Sequence, residues 1–529
     1  MTRSFLGWPA FPEAAEREVD NRQLRENVRR ATHTIRGKRA VLAAERPDWE
    51  QLRDSAAAIK DRVLADLERY LLQVEEKVTA AGGTVHWARD AAEANRIVTD
   101  LVRATGEREI VKVKSMLTEE IGLDAALEAA GINARETDLA ATIVQLGDDL
   151  PSHVVVPALH RNRSEIRDIF AREMGRHGRP APDGLTDDPA ELAEAARLHL
   201  REKFLGAKVA VSGANFVVAE TGTLVVVESE GNGRMCLTLA DTLISVVGLE
   251  KTVPDWQDLE VFLQLLARNA TGERMAPYTS TWTGTTDGDG PRDVHLVLVD
   301  NGRTRALADP VGRQALRCIR CGACMNTCPV YERTGGHAYG SVYPGPIGAI
   351  LNPLLKGLDD AQTASLPYAS TLCGACNEVC PVRIRFTDVL LDLRAQVADG
   401  GRHPVERAAL NTVGAVMARP AVWKAAVKGA GLVGPLLPRR AALPGPLGGW
   451  TDNRALPEIP GESFRGWWKR NERAGRDGSG GRDERAGRRD ERGGRGGSGG
   501  RDERGSRGGP GGRDEPDGRQ AARNRGEHA

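Results

Sequence analysis

Cys318-Ile319-Arg320-Cys321-Gly322-Ala323-Cys324-Met325-Asn326-Thr327-Cys328-Pro329 and Cys373-Gly374-Ala375-Cys376-Asn377-Glu378-Val379-Cys380-Pro381 hold seven of the eight cysteines of this 529-residue chain. A cubane iron–sulfur cluster takes three thiolates from such a tight loop and a fourth from elsewhere. In two-cluster ferredoxins the cysteine before proline ligates the other cluster. On that rule Cys318, Cys321, Cys324 and Cys380 hold a first cluster, while Cys328, Cys373 and Cys376 hold a second that is one thiolate short. The expected cofactors are two iron–sulfur clusters of the [4Fe-4S] type. Ser370 stands where the missing cysteine would be. The second cluster is therefore a cubane completed by a non-cysteine group (the Ser370 oxygen, water or a partner's side chain) or a three-iron cluster. Structural zinc also uses paired Cys-x2-Cys runs, but it needs neither a third cysteine at the same spacing nor a Cys-Pro ending found twice.

Outward from the clusters, residues 306–400 read as a ferredoxin-type domain. Its inter-cluster stretch, Tyr331 to Thr371, is rich in Gly and Pro and is expected to be ordered loop. Residues 401–470 read as a helical appendix ending in Trp467 and Trp468. Within it, Gly429-Ala-Gly-Leu-Val-Gly434 matches a dinucleotide-binding string, yet that motif has meaning only between a strand and a helix. Here it follows the helix-like Ala421 to Lys428 and runs into Pro435, so a helix end is expected. Residues 471–529 contain no Val, Ile, Leu, Met or aromatic residue and repeat Arg-Asp-Glu-Arg at 482, 489 and 501. Such a composition cannot form a core, and a disordered tail is expected. Its fifteen arginines face twelve acidic residues without interleaved aromatics, which argues against nucleic-acid binding.

Toward the N-terminus, residues 81–305 alternate short β-branched runs with helical stretches, the pattern of an open α/β sheet. The expected strands are Thr84–Ala88, Ile110–Val113, Ala141–Leu146, Val154–Val156, Val209–Val211, Phe216–Ala219, Leu224–Val227 and His295–Val299. Residues 1–80 read as a helical segment. Its firmest helix is Trp49 to Ala80, where Ile59, Val63, Leu67, Tyr70, Val74 and Val78 form one apolar stripe.

Formal charge is zero, from 73 basic and 73 acidic side chains, which excludes a global electrostatic case for nucleic acid or anionic membrane. The apolar start of the chain is broken by Pro9 and Pro12 and does not form a secretory signal. No run of about twenty apolar residues is present to span a membrane. Location and cysteine usage together favour a reducing, cytoplasmic setting over a disulfide framework.

The segments Lys112-Val-Lys-Ser-Met-Leu-Thr-Glu-Glu120, Glu136-Thr-Asp-Leu139, Pro151-Ser-His-Val-Val155, Glu220-Thr-Gly-Thr-Leu224 and Glu228-Ser-Glu-Gly-Asn-Gly-Arg234 precede the two cysteine runs. In that order they resemble the lactate-utilisation iron–sulfur protein B family over about residues 15–470. The resemblance implies an α/β, Rossmann-like lactate-utilisation domain, similar to sugar-isomerase and CoA-transferase folds, joined to a helical two-cluster ferredoxin-type domain. It also implies two sister proteins as partners, one cysteine-rich and one built on the same α/β domain, in oxidising L-lactate to pyruvate. The short second cysteine run also resembles the family; the charged tail departs from it.

Beside the resemblance, Ser115 lies between a strand and a helix and either binds an anion or simply caps the helix. The loop Glu228 to Arg234 offers Gly231, Gly233, Asn232 and Arg234, the last able to grip a carboxylate bidentately. Among Glu119, Glu120 and Glu220, only Glu220, beside the Thr221-Gly222-Thr223 turn, stands above the background of surface carboxylates, so Glu220 and Arg234 are the catalytic candidates. Cys236 reads as a small buried apolar residue, and His153, His160 and His337 as packing or surface residues without a metal-spaced neighbour. No flavin, nicotinamide or phosphate-loop signature is present. The expected function is an electron-transfer subunit of a lactate-oxidising complex, with lactate bound by a partner. The competing readings are an enzyme binding lactate on its own α/β domain, or an electron-transfer subunit for a glycolate or glycerol 3-phosphate dehydrogenase.

Overall fold

The computed structural model describes residues 7–400, 404–433 and 462–476. Residues up to Arg407 form one compact unit, and a second begins at Ala408. Four helices open the first unit: Phe11–Glu18, Arg22–Ala44, Trp49–Ala65 and Leu67–Ala80. The second starts where the Asn21 side chain accepts the Leu24 amide, the role of an N-cap. The expected single helix over Trp49–Ala80 is two helices, because Asp66 leaves helical backbone at φ −135°, ψ 44°. The apolar stripe survives the break, since both helices turn it to the core.

Ten strands follow: β1 Thr84–Ala88, β2 Glu109–Lys112, β3 Asn133–Glu136, β4 Val209–Ser212, β5 Phe216–Val218, β6 Thr223–Glu228, β7 Thr242–Gly248, β8 Thr252–Val253, β9 Tyr278–Trp282 and β10 Asp293–Val299. Six form a parallel sheet in the order β1-β10-β7-β4-β2-β3. Val209, Val211, Ile244 and Val246 pack on one face of it and Ala210, Leu243 and Val247 on the other. Burial on both faces is what a parallel sheet flanked by helices requires. The remaining strands form a smaller sheet, β8-β5-β6-β9, in which β6 is antiparallel to both its neighbours.

Two expected strands are corrected. Ala141–Leu146 lies in the helix Leu139–Leu146, started by Asp138 accepting the Ala141 amide; the cap and one buried face outweigh the β-branched pair Ile143 and Val144. Val154–Val156 is a loop whose backbone is satisfied by side chains. Lys114 Nζ donates to the carbonyls of Val154 and Val155, and the amides of Val155 and Val156 donate to His153 Nδ1. Strand β7 escapes the sequence because a wholly buried apolar run carries no period.

The inter-cluster stretch is also not the expected loop. It contains helices Pro329–Thr334, Gly345–Lys356 and Ala361–Ser365. Gly345–Lys356 tolerates Pro346 in its first turn, where the missing N–H has no intrahelical partner anyway. Gly348 is required there, since a Cβ would lie 1.6 Å from the Tyr343 carbonyl oxygen. One core joins the N-terminal helices, the smaller sheet and the cysteine region, through Val28, Trp49, Phe216, Phe262, Tyr339 and Phe386.

Farther on lie the helices Pro404–Met417, Pro420–Val433 and Phe464–Arg476. Gly429 and Gly431 lie within the helix Pro420–Val433, which runs past the end expected after Lys428; Gly434 lies outside the described residues. Asn471 to Arg476, expected as the start of the disordered tail, continue the last helix. The rest of that tail lies outside the described residues. No helix among the described residues is long and apolar enough to cross a membrane.

Candidate iron–sulfur centre and the adjoining crevice

The two cysteine loops have the same backbone. Arg320 and Gly322 take φ +62° and +74°, and Leu372 and Gly374 take +56° and +80°. This left-handed backbone turns successive amides inward, toward the sulfurs. The Arg320 amide donates to Cys318 Sγ at 3.4 Å, and at the matching place the Leu372 amide donates to Ser370 Oγ at 3.1 Å. After each Cys-Pro step the chain returns an amide to the cysteine: Tyr331 to Cys328 Sγ at 3.5 Å and Ile384 to Cys380 Sγ at 3.4 Å.

Burial and mutual repulsion raise the buried thiols of both loops. Burial pushes Cys321 up to about 12, with Cys318 and Cys380 adding to the rise. Burial likewise pushes Cys376 to about 12, its thiol neighbours being Cys328 and Cys373. Burial holds Cys324 well above the ordinary thiol value, with Cys318, Cys321, Cys376 and Cys380 adding to the rise. Buried thiols held this high ionise only when a cation stands beside them.

The sulfur spacing bears on which metal fits. A tetrahedral zinc site with Zn–S near 2.3 Å needs sulfurs about 3.8 Å apart. Among the described residues, no three of the cysteine sulfurs lie within 4.8 Å of one another. Cys318, Cys321, Cys324 and Cys380 instead line one small cavity, the donor set that a cubane takes. Two groups of other side chains do come that close, and both are occupied internally. Glu119, Asp124 and Glu136 surround the Lys112 ammonium at 3.6, 2.9 and 2.6 Å. Asp149, His160 and His337 form a set invisible in sequence. Its polar atoms are used: His160 Nε2 meets Asp149 at 2.8 Å, its Nδ1 meets Ser152 Oγ at 2.8 Å, and His337 Nε2 donates to the Leu150 carbonyl at 2.8 Å.

The N-terminal helices reach the cluster loops. Arg53, 4% exposed, donates to the carbonyls of Cys380, Glu378 and Asn377. Arg39 donates to the carbonyl of Val379. Both cap the carbonyl end of the helix Ala375–Val379.

A crevice of about 390 Å³ opens beside the Cys318 loop. It lies at the carboxyl ends of β2, β4 and β7, beyond Ser115, Gly213 and Gly248, where open α/β sheets bind ligands. Lys114, Glu230, Lys251 and Arg320 also line it. Burial, with Arg320 nearby, lowers the Lys251 ammonium to about 8, against the opposing pull of Glu250. Burial raises Glu230 to about 7, helped by Asp138.

The candidates from the sequence scatter. Ser115 lines the crevice, while Glu220 is exposed in the turn before β6 and does not reach it. The Arg234 side chain is exposed as well. The anion-binding capacity of its loop is taken up within the chain: the Gly233 and Arg234 amides donate to the Glu228 carboxylate, both at 2.7 Å. Asn232 donates to Thr137 Oγ1. Glu119 pairs with Lys112, and Glu120 with Arg303. Cys236 is buried, and burial pushes its thiol to about 12, as expected of a packing residue. Lys251, Arg320, Lys114 and Glu230 escaped the sequence reading; the one available signal was Arg320, placed inside the first cysteine run.

His153 joins the α/β part to the cluster loop: its Nδ1 accepts two amides and its Nε2 meets Asn326 Oδ1 at 3.3 Å. Burial drives its imidazole down to about 4, with Lys114 adding and Asn326 opposing. Because this lies below the ordinary histidine value, the unfolded chain takes the proton first. The stability held by the neutral ring is complete above about pH 6.5 and falls as pH drops toward 4, by up to about 3 kcal/mol. The urea midpoint is expected to decline across that window, and less steeply in His153→Gln. Parallel profiles for the two proteins would show that the ring is not held neutral.

Matches to known families follow this layout. The LUD domain matches residues 71–299, the 4Fe-4S dicluster domain residues 314–384, and the lactate utilisation protein B C-terminal domain residues 394–473. Fold and site thus define an iron–sulfur protein with a LUD domain. "Lactate utilization protein B" of Oceanobacillus iheyensis is 42% identical over 486 residues, covering 89% of this chain and 97% of that protein. The protein of the same name from Bacillus subtilis is 40% identical, covering 89% and 98%. The "uncharacterized electron transport protein YkgF" of Escherichia coli K12 is 41% identical, covering 87% and 97%. The chain belongs to the lactate utilisation protein B family.

Proposed function

We propose that this chain is the iron–sulfur electron-transfer subunit of a cytoplasmic complex oxidising L-lactate to pyruvate, working with a cysteine-rich sister protein and a second sister built on the same α/β domain. Cys318, Cys321, Cys324 and Cys380 would hold one [4Fe-4S] cluster, and Cys328, Cys373 and Cys376 the other. Such clusters supply one-electron transfer, and oxidising lactate to pyruvate releases two electrons and two protons. The observation that carries the assignment is the gathering of Cys318, Cys321, Cys324 and Cys380 around one small cavity, while the loop of Cys373 and Cys376 repeats the backbone of the first. Ser370 is the proposed fourth ligand of the second cluster, because its oxygen receives a loop amide as the Cys318 sulfur does.

Anaerobically prepared protein should carry about eight iron atoms per chain. Cys321→Ser is expected to remove the first cluster and leave the paramagnetic signal of the second. Ser370→Ala should convert the second to a three-iron signal, and Ser370→Cys should keep it cubane. If both Ser370 variants match the parent spectrum, the serine is not a ligand. Reduction of the clusters by lactate only when both sister proteins are added would support the complex; cluster reduction by this chain alone would make it the lactate oxidoreductase.

A further inference from the structure

The wall of the crevice beside the Cys318 loop carries more positive charge than its acids balance. Glu250, 1% exposed, accepts from Arg303 Nε at 2.6 Å and from Arg320 at 3.1 Å, so both its oxygens are engaged. Arg303 is further held by Glu120, and Lys60 by the carbonyls of Glu250 and Thr252. Lys251 follows Glu250 and lines the crevice. Among the described residues its ammonium has neither a hydrogen bond nor an ion-pair partner. Lys60, Lys251, Arg303 and Arg320 thus face the carboxylates of Glu120 and Glu250, with the thiolates of the cluster proposed at Cys318 offsetting part of the remainder. Of the four cations only Lys251 lacks a partner, which a bound anion would supply. Burying a charge without a counter-ion is costly, and a ligand that supplies the counter-ion recovers that cost.

The remaining walls narrow the ligand class. Val226, Val247, Leu266 and Ala270 give an apolar side, suited to a short carbon chain. The Ser115 hydroxyl lines the same space and has no partner among the described residues. Asp138, Glu228 and Glu230 line it as well, and they would repel a second negative group. A space of about 390 Å³ falls in the range of small-molecule sites.

We propose that this crevice is a binding site for a small monocarboxylate, its carboxylate paired with Lys251 and its apolar or hydroxylated end directed toward the apolar wall and Ser115. The naming of a 2-hydroxy or 2-oxo acid as occupant rests on the lactate reading above; the monocarboxylate site does not. The crevice touches the cluster loop through one residue, since Arg320 lines it and also donates its amide to Cys318 Sγ. Occupancy should therefore perturb the spectrum of the cluster held by Cys318.

The test is anaerobic calorimetry on the full, cluster-loaded chain with L-lactate, pyruvate, acetate, succinate and inorganic phosphate, with the cluster's paramagnetic spectrum recorded in parallel. Saturable binding of at least one monocarboxylate, weakened tenfold or more in Lys251→Met and retained in Lys251→Arg and Arg234→Ala, is the expected result. Because Lys251→Met removes an unpartnered cation, its iron content and ligand-free melting temperature should equal or exceed those of the parent, which separates lost binding from lost folding. Binding of acetate or pyruvate without lactate would keep the site and count against lactate as its occupant. No monocarboxylate binding to the loaded chain, binding indifferent to Lys251→Met, or equal binding of phosphate or succinate would overturn the proposal.

Discussion

Arg303→Leu is expected to lower the apparent unfolding free energy by about 3–5 kcal/mol, the cost of removing one partner from a buried ion network. Arg303 is 2% exposed and donates to both oxygens of Glu120, to Glu250 and to the Asp300 carbonyl. Burial would raise Glu250; Arg303 and Arg320 outweigh it and hold the carboxyl down to about 2. Removing the guanidinium leaves Glu120 with only Tyr343 and Asn301 as donors, inside a wall it shares with the cysteine region. The check is the urea midpoint of protein with equal iron content, compared with Arg303→Lys, which keeps the charge and loses the fork. Arg303→Lys should lie between the other two. A midpoint for Arg303→Leu matching that of the parent would show that the network contributes nothing to stability.

Arg53→Met is expected to empty the cluster that Cys380 serves. Its guanidinium donates to the carbonyls of Asn377, Glu378 and Cys380, the last of which belongs to a proposed ligand. Each buried carbonyl left without a donor costs about 1–3 kcal/mol, so the combined loss is comparable to the stability of a typical domain. The loop has a local escape, which is to open and hydrate its carbonyls, and opening carries Cys380 away from Cys318 and Cys321. Iron content after anaerobic purification should fall by about half, with the cluster proposed for Cys328, Cys373 and Cys376 retained. Normal iron content with unchanged spectra would show that the loop keeps its shape without the Arg53 guanidinium.

Part of the molecule was legible from local sequence. Cys-Pro endings and the Cys-x2-Cys steps give the backbone of the cluster loops, because Gly322 and Gly374 meet the demand for positive φ within the motif itself. Alternating runs marked β1, β2, β4, β5, β6 and β10, since each carries its signal within a few residues. Ala141–Leu146 misled for the converse reason: two β-branched residues weigh less than Asp138, whose cap is local, and a buried face, whose partner is not. Glu220 and Arg234 were chosen by motif, and the fold leaves both exposed.

By itself, then, the sequence determined the chemistry of the cysteine loops and the alternation that builds a parallel sheet, both properties of residues close together in the chain. The crevice was decided only by tertiary structure. Ser115, Lys251, Arg303 and Arg320 lie far apart in sequence; the ends of β2 and β7, the helix after β10 and the first cysteine loop bring them to one crevice, with Lys60 behind it on the carbonyl of Glu250. Whether a given lysine there is paired depends on which distant carboxylates have already been taken. Glu250 is taken by Arg303 and Arg320, and Lys251, its neighbour in sequence, is left without a counter-ion.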